Sequence, residues 1–377
     1  MEDSFKPIGL NRERLFTLMD AEDLDGIFLA SPENVFYITG FPALPFSGNP
    51  ILYALRNQVP YFVFIGKDQR ISLLCWGPAA MGVDYGAEDI RSVFTFEMAK
   101  EELAALVKEK LQNGCKLGIE ETFPFYAYQI IQENVQPGSI VPADELMNRL
   151  RLIKSPAEIE RIRRSTQIVE QTVMKLADLL RPGMSRLELI REAKTRMVRN
   201  GADGVDHVTV AFGAANPEIA LDEKLEADQI VTLDLGAVYQ GYISDNRRLV
   251  YTGKIPPPLK ELHEKLCWVV NEMAKALQPG KTFSELHAYA FELYAKADLS
   301  PMFLHVGHSM GLQVEERWIM SDDETKVAEG MVLNIELYSL SDEGVMVGDE
   351  ETFVITAGGV ERITQLPPDM IEKPFSS

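Results

Sequence analysis

The chain has 377 residues, 46% hydrophobic and 25% charged, a globular composition long enough for two domains. Lys+Arg 37 against Asp+Glu 57 gives a net charge of −20, which argues against nucleic acid or an anionic membrane as partner. Three scattered cysteines, Cys75, Cys115 and Cys267, exclude a disulfide framework and fit a reducing cytoplasm. No apolar run approaches the ~18–20 residues that span a bilayer. The charged N-terminus MEDSFKPIGLNRERL carries no secretion signal, so a cytoplasmic location is expected.

Along residues 11–145, helix-like and strand-like segments alternate. RERLFTLMDAEDL has helical periodicity; DGIFLAS, VFYITG, VPYFVFIG and ISLLCWG read as strands. EMAKEELAALVKEKLQNG reads as an amphipathic helix with a glycine stop, and KLGIE as a further strand. The expectation is an α/β domain over residues 1–150.

A second domain, 151–377, opens at Ser155-Pro156-Ala157-Glu158, a capping box with proline at the first helical position. The long helix that follows stops at Arg181-Pro182-Gly183. LRPGMSRLELIREAKTRM (180–197) and LQPGKTFSELHAYAFELY (277–294) share a helix end, a Pro-Gly break, a hydroxyl cap and an amphipathic helix. That echo predicts two similar halves related by a pseudo-twofold axis, with a site in the crevice between them.

Between the echoes lies VTLDLGAVYQGYISDNRRLVY (231–251), two apolar runs around a short turn, each with one aspartate. With the turn centred on Tyr239-Gln240, Asp234 and Asp245 face each other. Opposed side chains on one sheet face lie roughly 4.5–5.5 Å apart at Cβ. Two buried anions at that spacing call for a cation between them.

Later segments add donors: His305 and His308 in FLHVGHSMGLQVEERW, Glu336 in GMVLNIELYS, and Glu350-Glu351 in GVMVGDEETFVIT. Asp234, Asp245, Glu336 and one of Glu350/Glu351 carry four negative charges, which two divalent cations neutralise, with His308 as a neutral imidazole. Such donors suit Mn²⁺, Co²⁺, Fe²⁺ or Zn²⁺, manganese first among them. Two ions ~3.5–4 Å apart are machinery for hydrolysis.

Asp234, Asp245, His308, Glu336 and Glu350, in this order, resemble the five metal ligands of the pita-bread metallopeptidase superfamily. RLIKSPAEIERIR, SPENVFYITGF and the Ser244-Asp245-Arg248 motif look like its creatinase/prolidase/aminopeptidase P branch. The resemblance covers nearly the whole chain. It implies an α/β N-terminal domain followed by an α+β pita-bread domain with a pseudo-twofold repeat. It further implies Asp245 and Glu350 bridging two ions, Glu350 chosen over Glu351 by alignment, and a homodimer acting on a dipeptide or other small molecule.

Departures from the family pattern limit the expectation. Its peptidases carry three further histidines, and here the corresponding positions are Glu218, Leu304 and Glu315, with His305 one place late. Arg247 stands where a threonine is usual. Glu218 and Glu315 would make the pocket more anionic and favour a cationic substrate group, while His207 or His305 could supply the missing imidazole. Glu218, Glu315 and His305 are therefore the candidate catalytic residues. The expected activity is a dinuclear-metal hydrolase of a small amide or dipeptide, Xaa-Pro dipeptidase-like. The alternatives are a non-peptidase enzyme on the same frame (a creatinase-like C–N hydrolase, or a lyase of a small cationic substrate) and a non-catalytic binding protein.

Overall fold

The structure, a computed structural model, describes residues 6–375. It forms two compact units, one ending at Arg151 and the other beginning at Leu152. Among the described residues no helix is long and apolar enough to cross a membrane.

The first unit runs α1 (Arg12–Ala21), β1 (Gly26–Leu29), α2 (Pro32–Thr39), α3 (Ile51–Leu55), β2 (Phe62–Gly66), β3 (Ile71–Trp76), α4 (Gly77–Ala80) and β4 (Asp89–Val93). It continues with α5 (Phe96–Lys110), β5 (Lys116–Ile119), α6 (Phe125–Asn134), β6 (Ser139–Pro142) and α7 (Asp144–Arg151). The strands make one mixed sheet in the order β4-β3-β2-β1-β5-β6. Phe28, Phe62 and Phe64 of the sheet share a core with Leu103, Leu106 and Val107 of α5.

Two local expectations change here. VFYITG is not a strand but most of α2. The Ser31 hydroxyl caps the Asn34 amide, Pro32 sits in the first turn, and Gly40 ends the helix at φ +74°. Those start and stop signals outweigh the β-branched content of so short a segment. Helix α5 ends at Lys110, and Gly114 instead takes a left-handed turn before β5.

The second unit begins with α8 (Pro156–Leu179), α9 (Arg186–Arg199), β7 (Gly204–Phe212), β8 (Ile230–Tyr239), β9 (Tyr242–Ile243) and β10 (Asn246–Tyr251). After α10 (Pro257–Ala276) and α11 (Phe283–Lys296) come β11 (His308–Ser309), β12 (Arg317–Trp318), β13 (Val332–Leu340), β14 (Met346–Thr356), β15 (Gly359–Arg362) and β16 (Ile371–Glu372). One sheet is ordered β16-β10-β8-β7 with β9 on β8; the other is β12-β11-β13-β14-β15. The Ser155 capping box opens α8.

The internal echo is structural. Helices α9 and α11 start and end 97 residues apart, and so do their hydroxyl caps Ser185 and Thr282. In each half the turn glycine donates from its amide to a distant carbonyl: Gly183 to Leu225 and Gly280 to Val327. Isolated bridges Ser185–Lys224 and Thr282–Lys326 repeat at nearly the same offset.

Strand alternation then assigns faces. On β8, Val231, Leu233, Leu235 and Ala237 pack with α8 and α9, so Thr232, Asp234 and Gly236 face the other way. On β13, Leu333, Ile335 and Leu337 pack with α10 and α11, which turns Asn334, Glu336 and Tyr338 to the opposite face. The helices thus cover one side of each sheet, and the acids stand on the other.

Buried His263 on α10 makes acid stability measurable. Burial pushes its imidazolium down to about 4; Asp369 opposes this, and Arg248 and Arg247 reinforce it. A base depressed in the folded state contributes stability above its unfolded value of about 6.5 that is lost as pH falls toward 4. Thermal melts of the wild type should therefore lose up to about 3 kcal/mol between pH 7 and pH 4 that His263→Gln retains.

Candidate metal centre

The β8–β10 hairpin presents its acids through a register two residues from the expected one. The turn is Gln240-Gly241, with φ +48° and +89°, not Tyr239-Gln240. Consequently Asp234 faces Arg247 across the strand pair, rather than Asp245. Two left-handed residues in succession give the turn type that matches strand twist, and Gly241 pays no steric cost there. Asp245 remains on the same face as Asp234, displaced along the strand, so the two carboxylates still converge.

All the expected donors meet. A cavity of about 370 Å³ is lined by Asp234, Asp245, Glu336 and Glu350 together with Glu218, His305 and Glu315. His308, buried behind the wall, brings its Nε2 to 3.4 Å from Asp245 Oδ2 and 3.7 Å from Glu336 Oε1. Asp245 faces His308 with one oxygen and His207 with the other, since His207 Nε2 lies 3.2 Å from Asp245 Oδ1. Glu336 pairs with Glu350 across β13 and β14. Tyr338 OH donates to Glu336 Oε2 at 2.8 Å, and Asn334 Nδ2 donates to Glu350 Oε1 at 2.7 Å.

The choice between Glu350 and Glu351 is one of parity. Glu350 shares the cavity face with Gly348 and Thr352, which pair with Tyr338 and Asn334. Glu351 points back to the helix side, where it accepts from Arg248 Nη2 at 3.0 Å and Arg362 Nε at 2.9 Å, and from Thr364. Both Glu351 and Arg248 are buried. Glu351→Gln should cost about 3–5 kcal/mol of stability by removing the carboxylate that neutralises buried Arg248, while metal content stays unchanged. Thermal melts with elemental analysis check both halves of that expectation.

The candidate catalytic residues stand at different depths. Glu218 is exposed at the cavity margin after β7, its backbone held by the Asn216 side chain. Glu315 is exposed at the cavity wall, where partial desolvation still raises its carboxyl above the ordinary value, with His308 opposing. Leu304 points to solvent, whereas His305, one place later, reaches 3.3 Å from Glu336 Oε1. Its ring lies between Phe303, stacked at 5.1 Å, and Trp318 at 4.3 Å.

Charge in the cavity asks for cations. Burial, then Asp245, Asp234 and Glu336, push the Glu350 carboxyl well above the usual range. For His308 burial works against the proton, yet Asp245 and Glu336 prevail and raise it to about 9. His207 is likewise raised well above its ordinary value, where Asp245, Asp206 and Asp234 overcome burial. Protons thus do the work of balancing charge, and divalent ions can displace them. Donors of one ion held at 2.0–2.2 Å lie about 3–3.5 Å apart, close to the separations around Asp245. Carboxylate oxygens with imidazole therefore fit divalent ions in chemistry and in spacing.

Three further residues were not read as site members in the sequence. Asp206 and Arg247 line the cavity, and Tyr338 bonds two of the acids. Arg247 Nη1 makes a long contact of 3.5 Å to Asp234 Oδ2, and its guanidinium lies 4.8 Å from the Tyr338 ring centroid. Its position was legible: two residues from Asp245 on a strand means the same face.

Comparison with known proteins agrees with this arrangement. The model of metallopeptidase family M24 matches residues 160–357, and that of the creatinase/prolidase N-terminal domain matches residues 11–153. The Xaa-Pro dipeptidase of Pyrococcus furiosus is 29% identical over 377 residues, covering 95% of this chain and 99% of that protein. Among solved structures, the prolidase from Pyrococcus furiosus has a TM-score of 0.78 at 25% identity, over 93% of this chain and 99% of that one. The Xaa-Pro dipeptidase from Bacillus anthracis has a TM-score of 0.79 at 25% identity, over 96% of this chain and 98% of that one. The chain belongs to metallopeptidase family M24, and its N-terminal domain is of the creatinase/prolidase type.

Proposed function

We infer that the chain is a divalent-metal-dependent dipeptidase, acting on Xaa-Pro or similar small dipeptides. The observation that carries this reading is the convergence of Asp234, Asp245, Glu336 and Glu350 on one cavity, with His308 buried behind its wall against Asp245 and Glu336. Relatives named Xaa-Pro dipeptidase that align over nearly the full chain support it. Asp245, His308, Glu336 and Glu350, with Asp234, would hold two ions, with manganese preferred and cobalt, zinc or iron as alternatives. Bound there, the ions supply Lewis acidity that polarises a carbonyl oxygen and acidifies water.

The chain's own residues do the rest. Tyr338 and Asn334 fix the orientations of Glu336 and Glu350. Glu218 and Glu315 place negative charge at the cavity wall, where the substrate's ammonium group would sit. Desolvation at the cavity wall raises the Glu315 carboxyl toward neutrality, which suits it to carry a proton. His305, oriented by Phe303 and Trp318, is the imidazole nearest to doing the work of the missing histidines. A homodimer, by resemblance, and a cytoplasmic location, from the scattered cysteines, complete the proposal.

A manganese-loaded assay on Xaa-Pro dipeptides and their N-acetylated forms tests it. Acetylation removes the cation that Glu218 and Glu315 would face, and turnover should fall at least about tenfold. Equal turnover of blocked and free dipeptides contradicts the role of the glutamates. No turnover of any dipeptide contradicts the function.

A further inference from the structure

We propose that His207 is a sixth metal ligand, completing the Asp234 side of the cage as His308 completes the Glu336 side. This rests on the metal-dependent reading above. His207 Nε2 lies 3.3 Å from Asp234 Oδ1 and 3.2 Å from Asp245 Oδ1, and the three atoms form a compact donor set. Asp245 meets one imidazole at each oxygen, so its two sides are built alike.

The surroundings treat the ring as a ligand. Its other nitrogen, Nδ1, is 3.0 Å from Asp206 Oδ2, so Nδ1–H can donate there when a cation displaces the proton on Nε2. A carboxylate behind the distal nitrogen is the arrangement that orients and strengthens metal-binding histidines. Backbone irregularity brings the pair into place: the β7 register shifts between Val205 and His207. Val205 and Val208 both pack with the core while His207 turns to the cavity. Opposite His207 stands Gly236, where a Cβ would come within 2.4 Å of the ring. Only glycine leaves room for the imidazole there.

Arg247 fits the same scheme as a positioning residue. It engages Asp234 Oδ2, so Asp234 offers Oδ1 to the side where His207 and Asp245 converge. Asp234 would then bind through one oxygen, and the imidazole supplies the donor that a two-oxygen grip would otherwise give.

Calorimetric titration of the metal-free chain with Mn²⁺, beside His207→Ala, tests the assignment. Wild type should take two ions per chain. The variant should keep one at full affinity and bind the second at least about tenfold more weakly. The visible spectrum of the Co²⁺-loaded protein should change in the variant, since an imidazole leaves the coordination shell. His207→Phe fills the ring's space without a donor and should reproduce the loss, which separates ligation from packing. Two ions at wild-type affinity with an unchanged Co²⁺ spectrum in both variants overturns the ligand role alone. Failure of the wild type to bind Mn²⁺ overturns it together with the metal-dependent function.

Discussion

Asp245→Asn should lower kcat/KM for a dipeptide at least about a thousandfold, about 4 kcal/mol of transition-state stabilisation. The residue is buried, and its two oxygens face different imidazoles. An amide keeps the shape but removes a charge and one acceptor, so neither side of the cage keeps its full donor set. Elemental analysis should find the metal content reduced alongside the rate. Full activity in this variant would show that the carboxylate is not a ligand.

Glu350→Gln should have opposite effects with and without metal. In the metal-free protein Glu350 is a buried acid crowded by Asp245, Asp234 and Glu336, and folding must keep it protonated. A neutral isostere avoids that cost and should raise the melting temperature of the metal-free chain at pH 7.5. With Mn²⁺ at 100 to 1,000 times its dissociation constant, wild type gains about 2.7–4.1 kcal/mol from each ion, and the variant loses much of that gain. Thermal melts with chelator and with Mn²⁺ therefore reverse the stability order of the two proteins. The same order in both conditions would mean that Glu350 is not part of the cage.

What the sequence made legible follows from how each signal is encoded. Carboxylates inside apolar strands are costly without a cation, so Asp234, Asp245 and Glu336 stood out from surface acids. The pseudo-twofold repeat was visible because a Pro-Gly break and a hydroxyl cap are local signals, and both recur 97 residues on. Hairpin register was harder, because Gln240 adopts a left-handed conformation without the Asn-Gly signature that would announce it. Both faces of β14 are buried, so apolar alternation could not separate Glu350 from Glu351; pairing with β13 does. The misread segment of α2 depended on caps rather than on its β-branched residues. His207 was obscured by the bulge, which changes the parity on which a face assignment depends.

Histidine placement shows the same limit from the functional side. Position 304 looked like the loss of an imidazole, yet His305 turns its ring into the cavity. Chain position alone does not fix direction in a loop, where the backbone is free of strand alternation. Glu218 and Glu315 do reach the cavity, so the change from imidazole to carboxylate is a change in its chemistry.

The most direct measurement is dipeptide hydrolysis followed while chelated protein is titrated back with Mn²⁺. The account predicts no turnover at zero metal and a rise that saturates once the cage is filled, absent in Asp245→Asn. Turnover that persists in metal-free protein, or a filled cage that hydrolyses no dipeptide, would contradict it.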